Sequence, residues 1–475
     1  MSPDILPSAN GAPFDFTPLL QGVRIVWLNT SGAYVAGLHR CFPIEIVACL
    51  DDGADFDLLA ENGALTFLRA ESASGRRVPM ADRAIEDVIP AVGLEIESAV
   101  EKHPRDSWVF VCPRPCRALE RFVSGRFRAL LHPADLCIRL FHKRSLQEAL
   151  AELELPRLPG SWLRLADNFQ LMARKFGAPF VVQEAHGASG SGTSFINDGV
   201  EFRQAAARLG DKLVWVAPHV GRLTLNVAAI VVPNDVLVAY PSVQLTGLFP
   251  LTTAKATYCG NDYASAAYVG TAVIDGIREQ TQRIGGWLAR RGFRGFFGLD
   301  YIIDDSSGSP VAVDLNPRWQ GSTACATQAE LLAGRLPLAI AELAWKLGLL
   351  SPSDLASYRE QFFQPLEWSQ MILRILELQP AYVSAQMLPG LYSVDQDDIR
   401  FSRKGCLLAD CSREEYLLAG AVVRQGRRVE PPGARLATIF RHGPVYDLDH
   451  DCLLSDAATT AWRFYTGFDL TSPTP

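Results

Sequence analysis

Short apolar runs separated by longer stretches of helical spacing mark the first third of the chain. Val23-Arg24-Ile25-Val26-Trp27-Leu28 is one such run, followed by the turn Asn29-Thr30-Ser31-Gly32. Ile44 to Leu50 is a second, closed by Asp51-Asp52-Gly53, and Trp108 to Cys112 a third. Strands alternating with helices indicate a parallel α/β layer. We place this unit at about 20–135. A proline-bearing arm at 1–20 precedes it and reads as loose.

The pattern then changes. Residues 138–176 read as mostly helical around a break at Pro156, Pro159 and Gly160, with Ser145 starting a helix through a capping box. Pro179 to Glu184 is a strand, and Gly187-Ala188-Ser189-Gly190-Ser191-Gly192-Thr193 turns it into a second, Ser194-Phe195-Ile196. Further strands are expected at 213–218, 225–232 and 236–244. Ile274, Ile277, Ile284 and Leu288 form one stripe of an amphipathic helix over 273–291. Phe296 to Ile303 and Pro310 to Asn316 form an antiparallel strand pair around Asp304-Asp305-Ser306-Ser307-Gly308. Residues 326–350 read as helical, ending at Gly348. Beyond 351, short strands and turns such as Pro431-Pro432-Gly433 indicate a smaller, mostly β unit. The expected organisation is α/β: 20–135, a central unit 136–350, and 351–475.

Composition narrows the function classes. The chain has 475 residues, too many for one hydrophobic core. The net charge of −7 argues against nucleic-acid binding, which wants a basic face. No apolar stretch reaches the ~18 residues of a membrane span, and Met1 to Phe16 lacks a basic leader. We therefore expect a cytoplasmic location. The ten cysteines lack metal-ligand spacing and read as reduced thiols.

The strand pair at 296–316 carries the chemistry. Asp314 and Asn316 lie two apart, so both point to one face. The turn could set Asp300 opposite them. Two carboxylates and an amide oxygen form an oxygen-only set suited to Mg²⁺. Arg318 follows at once, a fixed cation for a phosphate or carboxylate oxygen. A solvated surface hairpin is the plain alternative. The Asp-x-Asn-Pro-Arg run inside an apolar pair argues against it. Gly187, Gly190 and Gly192 would let backbone N–H groups approach phosphates, although a plain hairpin uses glycines too. No Walker lysine follows them, and a strand rather than a helix does.

The order of these parts over about 138–335 resembles the ATP-grasp superfamily, which includes carboxylate–amine ligases such as the peptide ligases of natural-product pathways. The resemblance implies an ATP-grasp core behind a preceding α/β domain. It also implies ATP and Mg²⁺ (or Mn²⁺), a small carboxylate and an amine as substrates, and an acyl phosphate between them. A homodimer is expected by the same analogy. Asp300, Asp314 and Asn316 match the family's metal ligands, and Arg318 its phosphate- or acyl-steadying arginine. Lys143 resembles the first nucleotide lysine. Gly187, Ser189, Gly190, Ser191 and Gly192 match the triphosphate flap. Ala217 and His219 fall in the hinge beside adenine, and Asn226 near the nucleotide. The segment 258–262 lies near the substrate position. Three departures stand out: Gln183 where most members have a second lysine, no acidic residue in the hinge, and Asp314 in place of glutamate. A nucleotide-binding protein without catalysis, or a ligase with a non-amine acceptor, remains the alternative. Of the histidines, His186 and His219 lie nearest these parts.

Overall fold

The three apolar runs of the N-terminal region lie side by side. In the computed structural model, Val23–Asn29 pairs in parallel with Ile44–Cys49 on one side and Ser107–Cys112 on the other. Thr66–Arg69 and Arg128–Leu131 complete a five-stranded sheet at its two edges. These edge strands are short and largely outside the core, so they carry no apolar run that would announce them. The structure describes residues 14–77, 85–165, 168–187, 190, 192–385, 387–395 and 398–471. Within the arm expected to be loose, Phe14, Phe16 and Leu20 are buried, and Phe16 stacks on Phe42. Apolar contact, which the prolines around it masked, fixes that part of the arm.

A four-stranded sheet follows, ordered Ser161–Leu163, Val214–Pro218, Phe180–Glu184, Thr193–Ile196. Phe176 and Phe202, from the helices Phe169–Phe176 and Gly199–Leu209, pack with Phe180 in its apolar cluster. The helix at 143 begins two residues before Ser145. His142 caps it, accepting from the Arg144 N–H, while the Ser145 hydroxyl donates to Arg139 O. The preceding helix, Ala134–Phe141, ends immediately before, so the chain restarts without room for a serine cap.

The third sheet has eleven strands and holds most of the core. Gly295–Ile303 lies between Pro310–Asn316 and Thr224–Val232, antiparallel to both. The expected strand at 236–244 is two strands, Asp235–Val238 and Ser242–Thr246, parted by Tyr240-Pro241. Likewise 326–350 holds two helices, Thr323–Leu332 and Leu338–Leu347, broken before Pro337. Gly348 ends the second at φ +82°. Ile274, Ile277, Ile284 and Leu288 of helix Thr271–Arg290 are buried, as their stripe requires. Tyr258–Asp262 pairs with Trp368–Arg374, so the sheet runs on past residue 350 into Arg435–His442 and the strands beyond it. The last helix among the described residues, Ser455–Thr466, is absent from the sequence reading. All ten cysteines are free thiols. No helix among the described residues is long and apolar enough to cross a membrane.

Candidate active site

Antiparallel register puts Asp300 directly opposite Asp314, and Gly298 opposite Asn316. Both acids therefore face one cleft, with Asn316 Nδ2 3.5 Å from Asp314 Oδ2. Asn226, on the neighbouring strand, is in register with Asp300 and donates to its Oδ1 at 2.5 Å. Lys143 Nζ lies 2.9 Å from Asp314 Oδ1. Removal from water and the facing Asp314 charge push the Asp300 carboxyl up to about 6. Among the described residues, no group of three or more His, Cys, Asp or Glu is arranged to hold a metal ion. The cluster is two carboxylates and an amide.

Lys143 opens the helix Lys143–Glu152, and its backbone N–H donates to Ala185 O at the base of the glycine-rich turn. Gln183 lines the cleft, its amide donating to Thr193 Oγ1 at 3.3 Å. Gly187, Gly190 and Gly192 line the same cleft. Gly190 has φ +84°, and a Cβ there would stand 1.6 Å from Ala256 O. The tip of the turn thus rests on the loop that leads into Tyr258–Asp262. Ser189 and Ser191 lie outside the described residues.

Ala217 and Pro218 end the strand Val214–Pro218 and, with His219 just beyond it, line the same cleft beside the apolar side chains of Val181, Ile302 and Val313. His219 contacts Phe195 edge-on, ring centroids 5.5 Å apart, and burial lowers its proton affinity. His186 is not among the cleft-lining residues. It meets His142 edge-on, 4.8 Å between centroids.

Arg318 lines the cleft beside the acids, and its Nη1 donates to Trp319 O at 2.9 Å. Burial, then the Arg114 charge, lowers its pKa to about 10. Trp319 is pinned twice, by its N–H to Pro113 O at 3.1 Å and by its indole to Glu342 at 2.6 Å. Tyr34, in the 3-10 turn Gly32–Val35 after the first strand, donates to Gln320 O at 3.0 Å.

The sequence reading brought out Asp300, Asp314, Asn316, Lys143 and Arg318, and the fold gathers all five in this cleft. It missed Arg114, Arg374 and Arg435 on the same walls. Arg374 did leave a signal, being a cation at the end of an apolar strand with Ile375 beyond it. In the segment 258–262, Tyr258 and Asn261 line the cleft. Asp262 is instead structural, accepting from Ser265, Ser369, Val445 and Tyr446.

Solved structures superpose on nearly the whole chain. Biotin carboxylase from Campylobacter jejuni, in complex with a β,γ-ATP compound, aligns with TM-score 0.56 and 13% identity, covering 89% of this chain and 87% of its own. The chain has the ATP-grasp fold. Two further ATP-grasp structures agree. The biotin carboxylase domain of Hydrogenobacter thermophilus 2-oxoglutarate carboxylase, crystallised with MgADP, ADP and bicarbonate, gives TM-score 0.55 at 10% identity over 89% and 86% of the two chains. N5-carboxyaminoimidazole ribonucleotide synthetase from Thermotoga maritima gives 0.52 at 13% over 95% and 99%. No protein-family model matches the sequence, and no curated protein matches it.

Proposed function

We propose that the chain is an ATP-dependent ligase that activates a small-molecule carboxylate as an acyl phosphate and joins it to an amine, releasing ADP and phosphate. One observation carries this reading: Asp300, Asp314, Asn316, Lys143 and Arg318 converge in a single cleft under a glycine-rich turn. ATP-grasp structures crystallised with ATP-type ligands and MgADP support the choice of nucleotide.

The donor set fits Mg²⁺, with Mn²⁺ as an alternative. It is all oxygen, and Lys143 neutralises Asp314 while Asp300 keeps a raised proton affinity. Asp300, Asp314 and Asn316 would hold the ion, which when bound draws charge from the phosphate oxygens of ATP. Val181, Ala217 and His219 offer a pocket for adenine. The substrate carboxylate attacks the γ-phosphorus in line and ADP leaves. Lys143 and Arg318 stabilise the charge that develops on the transferred group. The amine then attacks the acyl carbon, the C–O bond to phosphate breaks, and phosphate departs. Contact of Gly190 with the Ala256 loop keeps water from the acyl phosphate during this interval.

Gln183 favours a second reading, nucleotide binding without catalysis. ADP release from Mg-ATP against a panel of carboxylates and amines separates the two. Release that requires a carboxylate, and disappears in Asp314→Ala/Asn316→Ala, supports the ligase. Binding of Mg-ATP without release under any pairing supports the second reading.

A further inference from the structure

The cleft holds more positive charge than the proposed phosphate chemistry uses. Arg374 and Arg435 line its C-terminal wall, on the antiparallel strands Trp368–Arg374 and Arg435–His442. They are register partners. Arg374 is 3% exposed. Its Nε and Nη2 donate to Tyr258 O at 3.0 and 2.8 Å, and its Nη1 to Gly433 O at 2.6 Å. These acceptors are all backbone carbonyls, so they fix the guanidinium without neutralising it. Arg435 is held less: its Nη1 reaches Gly420 O at 3.5 Å, and its buried Nε has no partner among the described residues. Neither arginine has a carboxylate within ion-pair distance among the described residues.

Two adjacent guanidiniums without a counter-ion are costly to bury. Burial, and then repulsion from Arg435, lowers the pKa of Arg374 to about 10. The pair is built to receive an anion, because planar guanidinium forks match phosphate and carboxylate oxygens. The nucleotide is an unsuitable source. Lys143 and Arg318 lie with the acid pair, whereas Arg374 is anchored to the backbone of Tyr258. The Tyr258 hydroxyl in turn is tied to Asn261 and Gln370, so this wall is rigid before any ligand arrives.

We propose that Arg374 and Arg435 form an anion subsite for the second substrate, which carries a phosphate monoester or carboxylate group besides its reacting atom. The assignment to a second substrate rests on the ligase reading; binding of an anion here does not.

The test is calorimetric titration of the full chain with inorganic phosphate and, separately, malonate, at constant ionic strength. One probe is expected to bind. Arg435→Gln should weaken it at least tenfold, Arg435→Lys less than threefold, and Lys143→Gln less than threefold. Preference for phosphate identifies a phosphate monoester, and preference for malonate a carboxylate. Binding of neither probe overturns the subsite, as does a loss that follows Lys143→Gln and not Arg435→Gln. Hydrogen exchange of the unaltered protein needs no variant: phosphate or malonate should protect the amides of 258 and 433–436, and no protection contradicts the proposal. Mg-ATP titration of the same sample keeps the readings apart. Anion binding without Mg-ATP binding removes the ligase and leaves the subsite.

Discussion

Lys143 and Asp314, 171 residues apart in sequence, meet at 2.9 Å in the cleft. The lysine comes from the start of a helix tied to the glycine-rich turn, and the acid from the strand pair beneath it. The contact therefore joins the two halves of the candidate nucleotide site. Lys143→Met removes a charge-assisted hydrogen bond to the phosphates, worth roughly 1.5–3 kcal/mol. Mg-ATP affinity measured by calorimetry should fall about 10- to 100-fold. Unchanged affinity would place the triphosphate elsewhere.

Gly190→Ala should uncouple the turn from the acceptor side. A methyl group there meets Ala256 O at 1.6 Å, so the turn cannot rest on that loop. Gly190 is only part-buried and lies outside the apolar clusters, so the fold should tolerate the change by moving the turn. We expect ADP release to drop at least tenfold, with the melting temperature unchanged within a few degrees. Release at the unaltered rate would show that this contact has no part in closure.

Gln183→Lys tests the departure from the ATP-grasp pattern. Gln183 lines the cleft and its amide donates to Thr193 Oγ1 at 3.3 Å. A lysine in its place adds a cation facing the phosphates and should tighten Mg-ATP binding several-fold in the same titration. No gain would mean that the strand end points away from the triphosphate.

Much of this site was legible in the sequence, for physical reasons that also mark the limit. Asp300, Asp314 and Asn316 stand in one strand pair with a short turn, where period-two geometry determines facing. Arg374 and Arg435 come together because Trp368–Arg374 pairs with Arg435–His442, a sheet contact between distant segments that no local pattern encodes. Tyr34, in the turn Gly32–Val35, and Arg114, just past the strand Ser107–Cys112, reach the cleft by contacts equally distant in sequence. The edge strands Thr66–Arg69 and Arg128–Leu131 escaped because short, partly exposed strands need no apolar run.

Glu330 gives a stability prediction with a definite sign. It is 6% exposed, accepts the Leu338 N–H, and burial raises its pKa to about 8. Its folded pKa lies above the unfolded value, so the fold binds the proton more tightly. The stability this contributes is complete below about pH 4.5 and is lost as pH rises towards 8, by at most about 1.4 kcal/mol per pH unit. Glu330→Gln keeps an acceptor oxygen and cannot ionise. Its denaturation midpoint should exceed that of the unaltered protein at pH 8 and approach it at pH 5. A constant difference across that range would show that the carboxyl does not titrate as described.

The most direct test of the account is calorimetric titration of Mg-ATP into the unaltered protein and into Asp300→Asn/Asp314→Asn. The account predicts saturable binding that requires the divalent ion and weakens at least thirtyfold in the double variant, with circular dichroism unchanged. Binding of equal strength in both proteins, or no binding to the unaltered protein, would contradict it.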